Sequence, residues 1–378
     1  MALNTAVVGM GGIGYTHARC YKNNPLANLI AVCDIVKEKA DKAAEEFGCR
    51  AFYDEEEMLK ALPELDVVSV TTSGLENGSF HYEPSMLALS YGKHVLVEKP
   101  ICADVRDARE MVAYAQKNKL YLGCDLNHYF TGPAADAKKM QLNGEVGELL
   151  YCVHKVGFNG SEFGYGGRPS WDSRWNTPYS HLKAFCAHPF SVMRYFCGDI
   201  TGVQAFLDRP GFRRGSEDPM LSLNSIHVRF ANGGYGHLIS QRGDAMFGYG
   251  GWWSYEHCGA KSTFAIENCV EKLHIWDPAE LDTSRGTMNQ ATPDPVTKHY
   301  GVSEFGSTFP TRIHAFLEDV TNKVPFEYIR ASGRDALATL EYTFAAIKSY
   351  ENGGALVVPE LLPPMHGDAS RIKQPWAW

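Results

Sequence analysis

The sequence lacks the features of several large classes of protein. Its lysines and arginines are scattered without forming a run, and 44 acidic residues outnumber them to give a formal net charge of −8. Such a chain has no basic face for a phosphate backbone, which argues against a nucleic-acid partner. No stretch approaches the roughly 18 apolar residues of a membrane span, and a strand pattern begins too early for a signal peptide. We therefore expect a cytoplasmic protein with neither nucleic-acid nor membrane partners.

The sequence also lacks paired cysteines. Ten cysteines are present but none forms a C-x-x-C motif, so the pattern indicates neither a disulfide framework nor a zinc knuckle. We expect mostly small buried thiols and predict no metal site. His181, Cys186 and His188 are an alternative set of metal ligands, but no carboxylate or further cysteine stands at a partner spacing.

What is present is a globular composition, 44% hydrophobic over 378 residues, which is enough for two domains. Short apolar runs alternate with helical patterns over residues 1–126, which is typical of a doubly wound parallel sheet in an α/β fold. Strand patterns joined by Gly, Asn and Asp turns then predict a second, α+β domain over 127–358 with a large, mostly antiparallel sheet. Residues 359–378 form a Pro-rich tail without periodicity.

A glycine motif follows the first predicted strand and opens the first predicted helix. Gly9, Gly11 and Gly14 fit G-x-G-x-x-G, and Asp34 ends the second strand 20 residues after Gly14. In this context the glycines allow close approach of a pyrophosphate to the helix N terminus, and the acid binds ribose hydroxyls. Because the Asp34 carboxylate would repel a 2′-phosphate, NAD is favoured over NADP. The alternative interpretation is a glycine-rich turn without function.

A second motif, "HVLVEKPI", places Glu98, Lys99 and Pro100 at the end of a predicted strand. Ligands of open α/β sheets bind at the carboxyl ends of the strands, so Lys99 is expected where a nicotinamide would lie. There it could assist removal of a hydroxyl proton during oxidation of an alcohol. A surface lysine in a turn is the alternative interpretation.

Together with "AVCD", "GKHVLVEKP", "NGEVGEL" and "ALATLEYTFAAIKSYENGG", the glycine motif resembles the Gfo/Idh/MocA oxidoreductase family. The family includes glucose-fructose oxidoreductase and inositol dehydrogenases. The resemblance implies a Rossmann domain joined to an open-faced sheet domain, a bound NAD cofactor, sugar or cyclitol substrates, and a homodimer or homotetramer. It also implies that Glu98 lies near the nicotinamide and Lys99 at the substrate hydroxyl.

Members of that family carry Asp-x-x-x-His on a helix of the second domain, with the histidine as proton acceptor. "SHLKAFCAHPFSVMRYFCG" matches the family at His188, but the Asp position is Ala184. If this segment is one helix, His181, Ala184 and His188 share a face, because steps of three and four residues are neighbours. His181 and Lys183 are therefore candidates near the site, although a histidine in an apolar helix is more often structural.

The remaining candidates are aromatic, polar and basic residues that suit sugar rings or the cofactor, and that suit ordinary packing equally well. The predicted catalytic residues are Lys99 and His188. The predicted substrate-binding residues are Tyr129, Arg174, Trp175, His181 and Lys183. The predicted cofactor-binding residues are Gly9, Gly11, Gly12, Ile13, Gly14, Asp34, Thr71, Thr72, Ser73, His81, Glu98, Lys99 and Asn127.

The leading hypothesis is an NAD-dependent dehydrogenase that moves hydride between a secondary alcohol of a sugar, glycoside or cyclitol and the nicotinamide. The missing aspartate leaves a second hypothesis open, an NAD-retaining glycosidase that works by transient oxidation and elimination. Oxidation of a glycoside at its 3-position ahead of a separate cleavage enzyme is a related alternative. A non-catalytic NAD-sensing regulator is the remaining alternative.

Overall fold

The structure is a computed structural model that describes residues 2–73, 80–158, 178–209, 221–242, 250–276, 294–326 and 328–363. Its first part alternates strands and helices from the start. In chain order these are β1 (Leu3–Val8), α1 (Gly12–Lys22), β2 (Ala27–Cys33), α2 (Lys37–Phe47), β3 (Arg50–Phe52), α3 (Glu55–Ala61), β4 (Val67–Val70), α4 (Tyr82–Ser90), β5 (His94–Val97), α5 (Val105–Lys117) and β6 (Leu122–Cys124).

The second part is dominated by strands. A 3₁₀ turn at Asn127–Tyr129 leads into α6 (Gly132–Leu142), β7 (Leu149–Phe158), α7 (Ser180–Phe185), α8 (Ala187–Cys197), β8 (Ile200–Asp208), β9 (Leu223–Phe230), β10 (Tyr235–Arg242), β11 (Trp253–Gly259), β12 (Thr263–Glu267), β13 (Lys272–Trp276) and β14 (Val296–His299). A 3₁₀ turn at Phe305–Ser307, α9 (Thr308–Thr321) and α10 (Gly333–Glu351) complete the described elements.

The six strands of the first sheet are all parallel, in the order β3-β2-β1-β4-β5-β6. β1 and β4 are adjacent although β2 and β3 separate them in sequence. The carboxyl ends of these two strands therefore border the crevice in which open α/β sheets bind ligands. Short β3 was not predicted, because three residues carry too little pattern.

The second sheet has the order β14-β13-β12-β11-β7-β10-β9-β8. Its neighbours are antiparallel except for β7 and β10, which run parallel. One face packs against α8 and α10, and the other carries the more exposed residues of each strand. The predicted fold class, a doubly wound parallel sheet followed by a large, mostly antiparallel sheet, is confirmed.

The helices at the end of the described chain return to the first sheet. Arg312 on α9 is fully buried and donates to the carbonyls of Cys124 and Ala331. α10 begins at a capping box in which Ser332 and Asp335 bind each other's backbone N–H groups. α10 also packs against β8 of the second sheet and against β6 and α5 of the first part, so this helix joins the two sheets.

The segment predicted as one helix around His188 is broken into α7 and α8 at Cys186. Pro189 is the third residue of α8 and has no N–H, so it cannot bond the carbonyl of Phe185 four residues earlier. Proline is tolerated in a first turn for this reason, and here a new helix starts. The prediction of a single helix was therefore wrong, and Ala184 lies in the last turn of the short α7 rather than in the middle of one long helix.

Candidate active site

A glycine turn joins β1 to α1. Gly9 has a φ of +95°, and a Cβ on it would lie 2.8 Å from the backbone nitrogen of Thr72. A Cβ on Gly14 would lie 2.0 Å from the Gly9 oxygen, so close packing demands glycine at both positions. At Gly11 and Gly12, in contrast, an added Cβ would meet nothing within 4 Å. The space in front of the α1 N terminus is therefore open for a ligand.

Asp34 lies at the end of β2, beside this turn. Its Oδ2 accepts the Met10 N–H at 2.7 Å and its Oδ1 accepts the Val36 N–H at 2.8 Å. Each oxygen keeps a lone pair, so the carboxylate can also accept ribose hydroxyls. Ile35 and Ile13 are 90% and 43% exposed, which is unusual for isoleucine and suits the faces of an adenine ring. These residues fit an adenine dinucleotide whose pyrophosphate lies at the helix N terminus.

A buried charged cluster lies behind the turn. His17 on α1 has its Nε2 3.1 Å from Glu98 and 3.1 Å from Asp125, and its Nδ1 is 2.8 Å from the Ser69 hydroxyl. Burial alone would lower the pKa of His17, but the two carboxylates outweigh burial and raise it to about 9. Burial would raise the pKa of Glu98, but the hydrogen bond from His17 and the charge of His17 outweigh burial and lower it. The imidazolium and Glu98 are thus both ionised at neutral pH.

The same Glu98 shapes the turn that presents Lys99. Its second oxygen accepts the backbone N–H of Lys99 at 3.1 Å, so the carboxylate holds that turn from inside the protein. His81 is buried beside it with Nδ1 2.6 Å from the carbonyl of Pro100, and burial lowers the pKa of His81. Neutral His81 therefore donates through Nδ1, and both side chains support the position of Lys99.

The ammonium of Lys99 reaches across to the second part of the chain. Its Nζ donates to the carbonyl oxygen of Ala184 at 3.2 Å. The break between α7 and α8 places this carbonyl at a helix end, where cations are favoured. A backbone oxygen thus contacts the lysine at the position where the resemblance implies an aspartate.

His188 lies in the first turn of α8 and is almost completely buried. Its ring centroid is 3.6 Å from that of His128, which in turn stacks on Phe305 at 4.2 Å and tilts against Trp253 at 4.7 Å. Burial, the neighbouring His128 and the charge of Lys99 all lower the pKa of His188. The Nδ1 of each histidine has no hydrogen-bond partner within the described ranges. His188 is therefore neutral at neutral pH and able to accept a proton.

Two predicted substrate-binding residues, Tyr129 and Lys183, have their described ring contacts with other parts of the structure. Tyr129 stacks on Tyr195 at 4.6 Å and belongs to the apolar core. The Nζ of Lys183 lies over the ring of Phe344 on α10, 5.7 Å from its centroid. The 3₁₀ turn and the short α7 place these side chains against Tyr195 and Phe344. Their predicted contact with substrate has no support from this geometry.

His181 remains close to the site, stacked parallel to Phe185 at 5.9 Å, and its Nε2 is 2.7 Å from the Ser240 hydroxyl. Phe185 also contacts the ring of His188. His181 therefore packs behind the aromatic wall, the group of rings formed by His128, Phe185, His188, Trp253 and Phe305. Arg174 and Trp175 lie outside the described residues.

The predicted cofactor residues at the end of β4 mostly support the turn. The Thr71 hydroxyl donates to the carbonyls of Val8 and Gly9, and the Thr72 hydroxyl donates to the carbonyl of Phe80. Ser73 is exposed at the edge of the described range. The hydroxyls of Thr71 and Thr72 thus stabilise the backbone around the glycine turn.

Asn127 is buried and donates to the Thr308 hydroxyl at 3.0 Å, while its Oδ1 has no partner in the part of the chain that the structure describes. A buried amide oxygen without a partner is costly, so it is a natural acceptor for a ligand donor such as an amide. Asn127 stays a predicted cofactor contact.

Two residues of the site, His17 and Asp125, were not among the candidates from the sequence, and His128 and Trp253 were considered only as members of the aromatic segments "NHYF" and "GGWWSYEH". His17 follows Gly14 by three residues on the buried face of α1, and Asp125 comes directly after β6; both positions are readable from the sequence. His128 lies in a short turn whose side-chain directions no periodicity predicts. Trp253 lies in β11, where the run of glycines and aromatics hides the strand pattern.

Comparison with known proteins agrees with this geometry. Residues 3–125 match the GFO_IDH_MocA family model, described as an oxidoreductase family with an NAD-binding Rossmann fold. A D-glucoside 3-dehydrogenase of Escherichia coli (strain K12) is 32% identical over 155 residues, 41% of this chain and 43% of that protein. A scyllo-inositol 2-dehydrogenase (NAD(+)) of Bacillus subtilis (strain 168) is 24% identical over 92% of this chain and 94% of its own length.

Among solved structures, an NAD binding oxidoreductase from Klebsiella pneumoniae superposes with a TM-score of 0.80 at 20% identity, covering 95% of this chain and 99% of that one. This likeness extends the shared fold to both sheets. The chain spans less than half of the E. coli relative, so that protein's activity is not carried over. The family resemblance predicted from the motifs is confirmed for residues 3–125, which match the NAD-binding Rossmann model of the Gfo/Idh/MocA oxidoreductases.

Proposed function

We propose that this chain oxidises a secondary alcohol of a sugar, glycoside or cyclitol with NAD⁺ as the hydride acceptor. The observation that supports this most is the position of Lys99. It lies just beyond the carboxyl end of β5, in the first domain, and its charge adds to the effect of burial in lowering the pKa of His128 and His188 in the second. A substrate hydroxyl between these groups would meet a cation and a neutral base at once.

The roles of the side chains follow from their charge states. Neutral His188 accepts the hydroxyl proton, and the Lys99 ammonium donates a hydrogen bond to the substrate oxygen as negative charge develops there. Positioned proton transfer of this kind contributes about 10²- to 10⁴-fold to rate. The aromatic rings of Trp253 and Phe305 surround His128 and exclude water, which strengthens both interactions. NAD, held by the glycine turn and Asp34, would supply the hydride acceptor.

The choice of NAD over NADP is part of this proposal. The Asp34 carboxylate is fixed by two backbone N–H groups and cannot turn away from a 2′-phosphate. The next two residues, Ile35 and Val36, carry no charge to receive one. Repulsion of the phosphate by the carboxylate therefore favours NAD⁺.

We further propose a homo-oligomer formed through the outer face of the second sheet. Tyr151 and Tyr235 lie opposite each other on β7 and β10 and are 48% and 64% exposed, and Phe206 on β8 is 57% exposed. Aromatic residues are enriched in interface cores. Light scattering on the parent and on a Tyr151→Glu, Tyr235→Glu double variant tests this. We expect a dimer or tetramer from the parent and a smaller species from the variant; equal masses would contradict the proposal.

The catalytic proposal is tested by denaturing the purified protein to identify any released cofactor, and then by screening polyols and glycosides with NAD⁺. We expect NADH and a keto sugar in equal amounts from at least one compound. Release of an aglycone without NADH would instead identify an NAD-retaining glycosidase. An NAD-bound protein that turns over no compound of a broad panel would overturn the proposal in favour of an NAD-sensing regulator.

A further inference from the structure

Three potential metal ligands lie together on the inner face of the second sheet, next to Trp253 of the candidate active site. They are Cys152 and His154 on β7 and His257 on β11. Residues two apart on a strand share a face, and Cys152 is directly opposite His257 in the antiparallel register. All three are at most 1% exposed. The sulfur and one ring nitrogen from each histidine lie within 4.8 Å of one another.

The spacing of the two imidazoles suits a tetrahedral ion. The Nε2 atoms of His154 and His257 are 3.2 Å apart. Two nitrogens bound to one tetrahedral Zn²⁺ at about 2.0–2.1 Å are separated by about 3.3 Å. Without an ion, one of these nitrogens must carry the proton and the other must accept it.

The surroundings of His257 favour a lone pair on the nitrogen that faces His154. The Cys197 sulfur lies 3.4 Å from His257 Nδ1 and can accept its N–H. A partner on the far nitrogen is what fixes the tautomer of metal-binding histidines. The Nδ1 of His154 has no hydrogen-bond partner in the described ranges, so that ring is free to carry its proton there.

We propose that Cys152, His154 and His257 form a buried structural site for a thiophilic divalent cation, Zn²⁺ in the first instance. Binding releases the thiol proton of Cys152 as the sulfur–metal bond forms. The proton on His154 Nε2 moves to Nδ1, and nothing is oxidised or reduced. Three protein ligands leave one position of the tetrahedron without a protein ligand. The site departs from the expectation of no metal, because strand pairing joins ligands that lie about a hundred residues apart.

The position of the site indicates what the ion would stabilise. Cys197 is the last residue of α8, whereas His188 lies in the first turn of the same helix, about 14 Å away at 1.5 Å per residue. β11 carries His257 on the same face as Trp253, which packs against His128. An ion here would fix both elements that carry the aromatic wall. This inference does not depend on the proposed dehydrogenase activity.

The test uses the purified full chain, stripped with a chelator and reloaded with Zn²⁺ or with Co²⁺. We expect one ion per chain after gel filtration, a thiolate-to-cobalt charge-transfer band in the Co²⁺ form, and a higher melting temperature with Zn²⁺. Cys152→Ala should lose both the ion and the band. Cys269→Ala, which removes an equally buried thiol of the same domain, should keep both.

Because Cys152→Ala could fail to fold, His154→Gln gives a second test with a polar side chain of similar size. It should bind Zn²⁺ at least tenfold more weakly than the parent. If the reloaded parent retains no ion after gel filtration, or if Cys152→Ala keeps the charge-transfer band, the cluster is a histidine–histidine hydrogen bond only and the proposal is wrong.

Discussion

His17 and His188 are both enclosed histidines, one on each side of the candidate site, yet their surroundings shift their pKa values in opposite directions. Two carboxylates outweigh burial at His17 and raise its pKa to about 9. At His188, burial, the His128 ring and the Lys99 charge all lower the pKa. The Rossmann side of the site is thus held by buried charges with hydrogen bonds, whereas the second side is held by neutral aromatic packing.

This difference assigns separate tasks to the two sides. Charged groups with several hydrogen bonds have fixed positions, so they can hold the turn that carries Lys99 and the strand ends beside the proposed cofactor. Neutral rings whose Nδ1 atoms have no hydrogen-bond partner among the described residues leave a base in the form that accepts a proton. Lys99 joins the two sides, since its backbone N–H binds Glu98 and its ammonium binds the Ala184 carbonyl.

The largest expected effect is therefore that of replacing Lys99, the residue that contacts both sides of the site. Lys99→Ala should lower kcat by about 10²- to 10⁴-fold, because the transition state loses its cationic donor. The NAD⁺ dissociation constant should change little, because the glycine turn and Asp34 are intact. Steady-state kinetics on an active substrate and fluorescence titration of the cofactor measure the two quantities. Lys117→Ala, at an exposed position at the end of α5, is the matched control. A parental kcat for Lys99→Ala would refute the catalytic role.

The next largest effect tests whether the first side is held by charge. His17→Ala leaves Glu98 and Asp125 buried without their cation, and removal of one partner from a buried ion pair costs about 3–5 kcal/mol. His188→Ala leaves no charge without a partner and should lower the free energy of unfolding by less. Urea unfolding followed by circular dichroism measures both, with exposed His299→Ala as the control. Equal losses for the two variants would contradict the contrast between the sides.

A smaller effect is expected from replacing Asp34, beside the glycine turn. Asp34→Asn keeps an acceptor for a backbone N–H but loses the charge that binds the ribose hydroxyls. A hydrogen bond to a charged group contributes about 1.5–3 kcal/mol, so KM for NAD⁺ should rise about 10- to 100-fold while relative use of NADP⁺ increases. Asp41→Asn, a surface change on α2, serves as control. An unchanged ratio of kcat/KM for the two cofactors would exclude Asp34 as the selecting group.

The same contrast explains what could be predicted from the sequence. The glycine turn, Asp34 and Lys99 follow strand ends within a regular βαβ rhythm, so local pattern was enough to predict the parallel sheet and its functional edge. His188 was found only through the family motif, and the helix around it was wrongly predicted as continuous because Pro189 allows a new first turn. His128 and Trp253 meet through packing of distant segments, for which the sequence carries no periodic signal.

The smallest expected effect is a pair of opposite pH dependences of stability. His17 binds its proton more tightly in the folded state, from an ordinary pKa of 6.5 to about 9. Its contribution is therefore complete below pH 6.5 and is lost as the pH rises through about 9. The lowered pKa of His188 means that the unfolded chain binds the proton first, so its contribution is present above pH 6.5 and is lost as the pH falls.

For one proton, either slope is at most about 1.4 kcal/mol per pH unit. Urea midpoints of the parent, His17→Gln and His188→Gln from pH 5 to 10 separate the two. His17→Gln should flatten the alkaline limb relative to the parent, and His188→Gln the acid limb, while His299→Gln follows the parent throughout. Taking differences from the parent removes the titration of buried cysteines and tyrosines, which all four proteins share. If both variants flattened the same limb, the two sides of the site would not differ in the charge of their histidines, and neutral His188 could not be the proton acceptor.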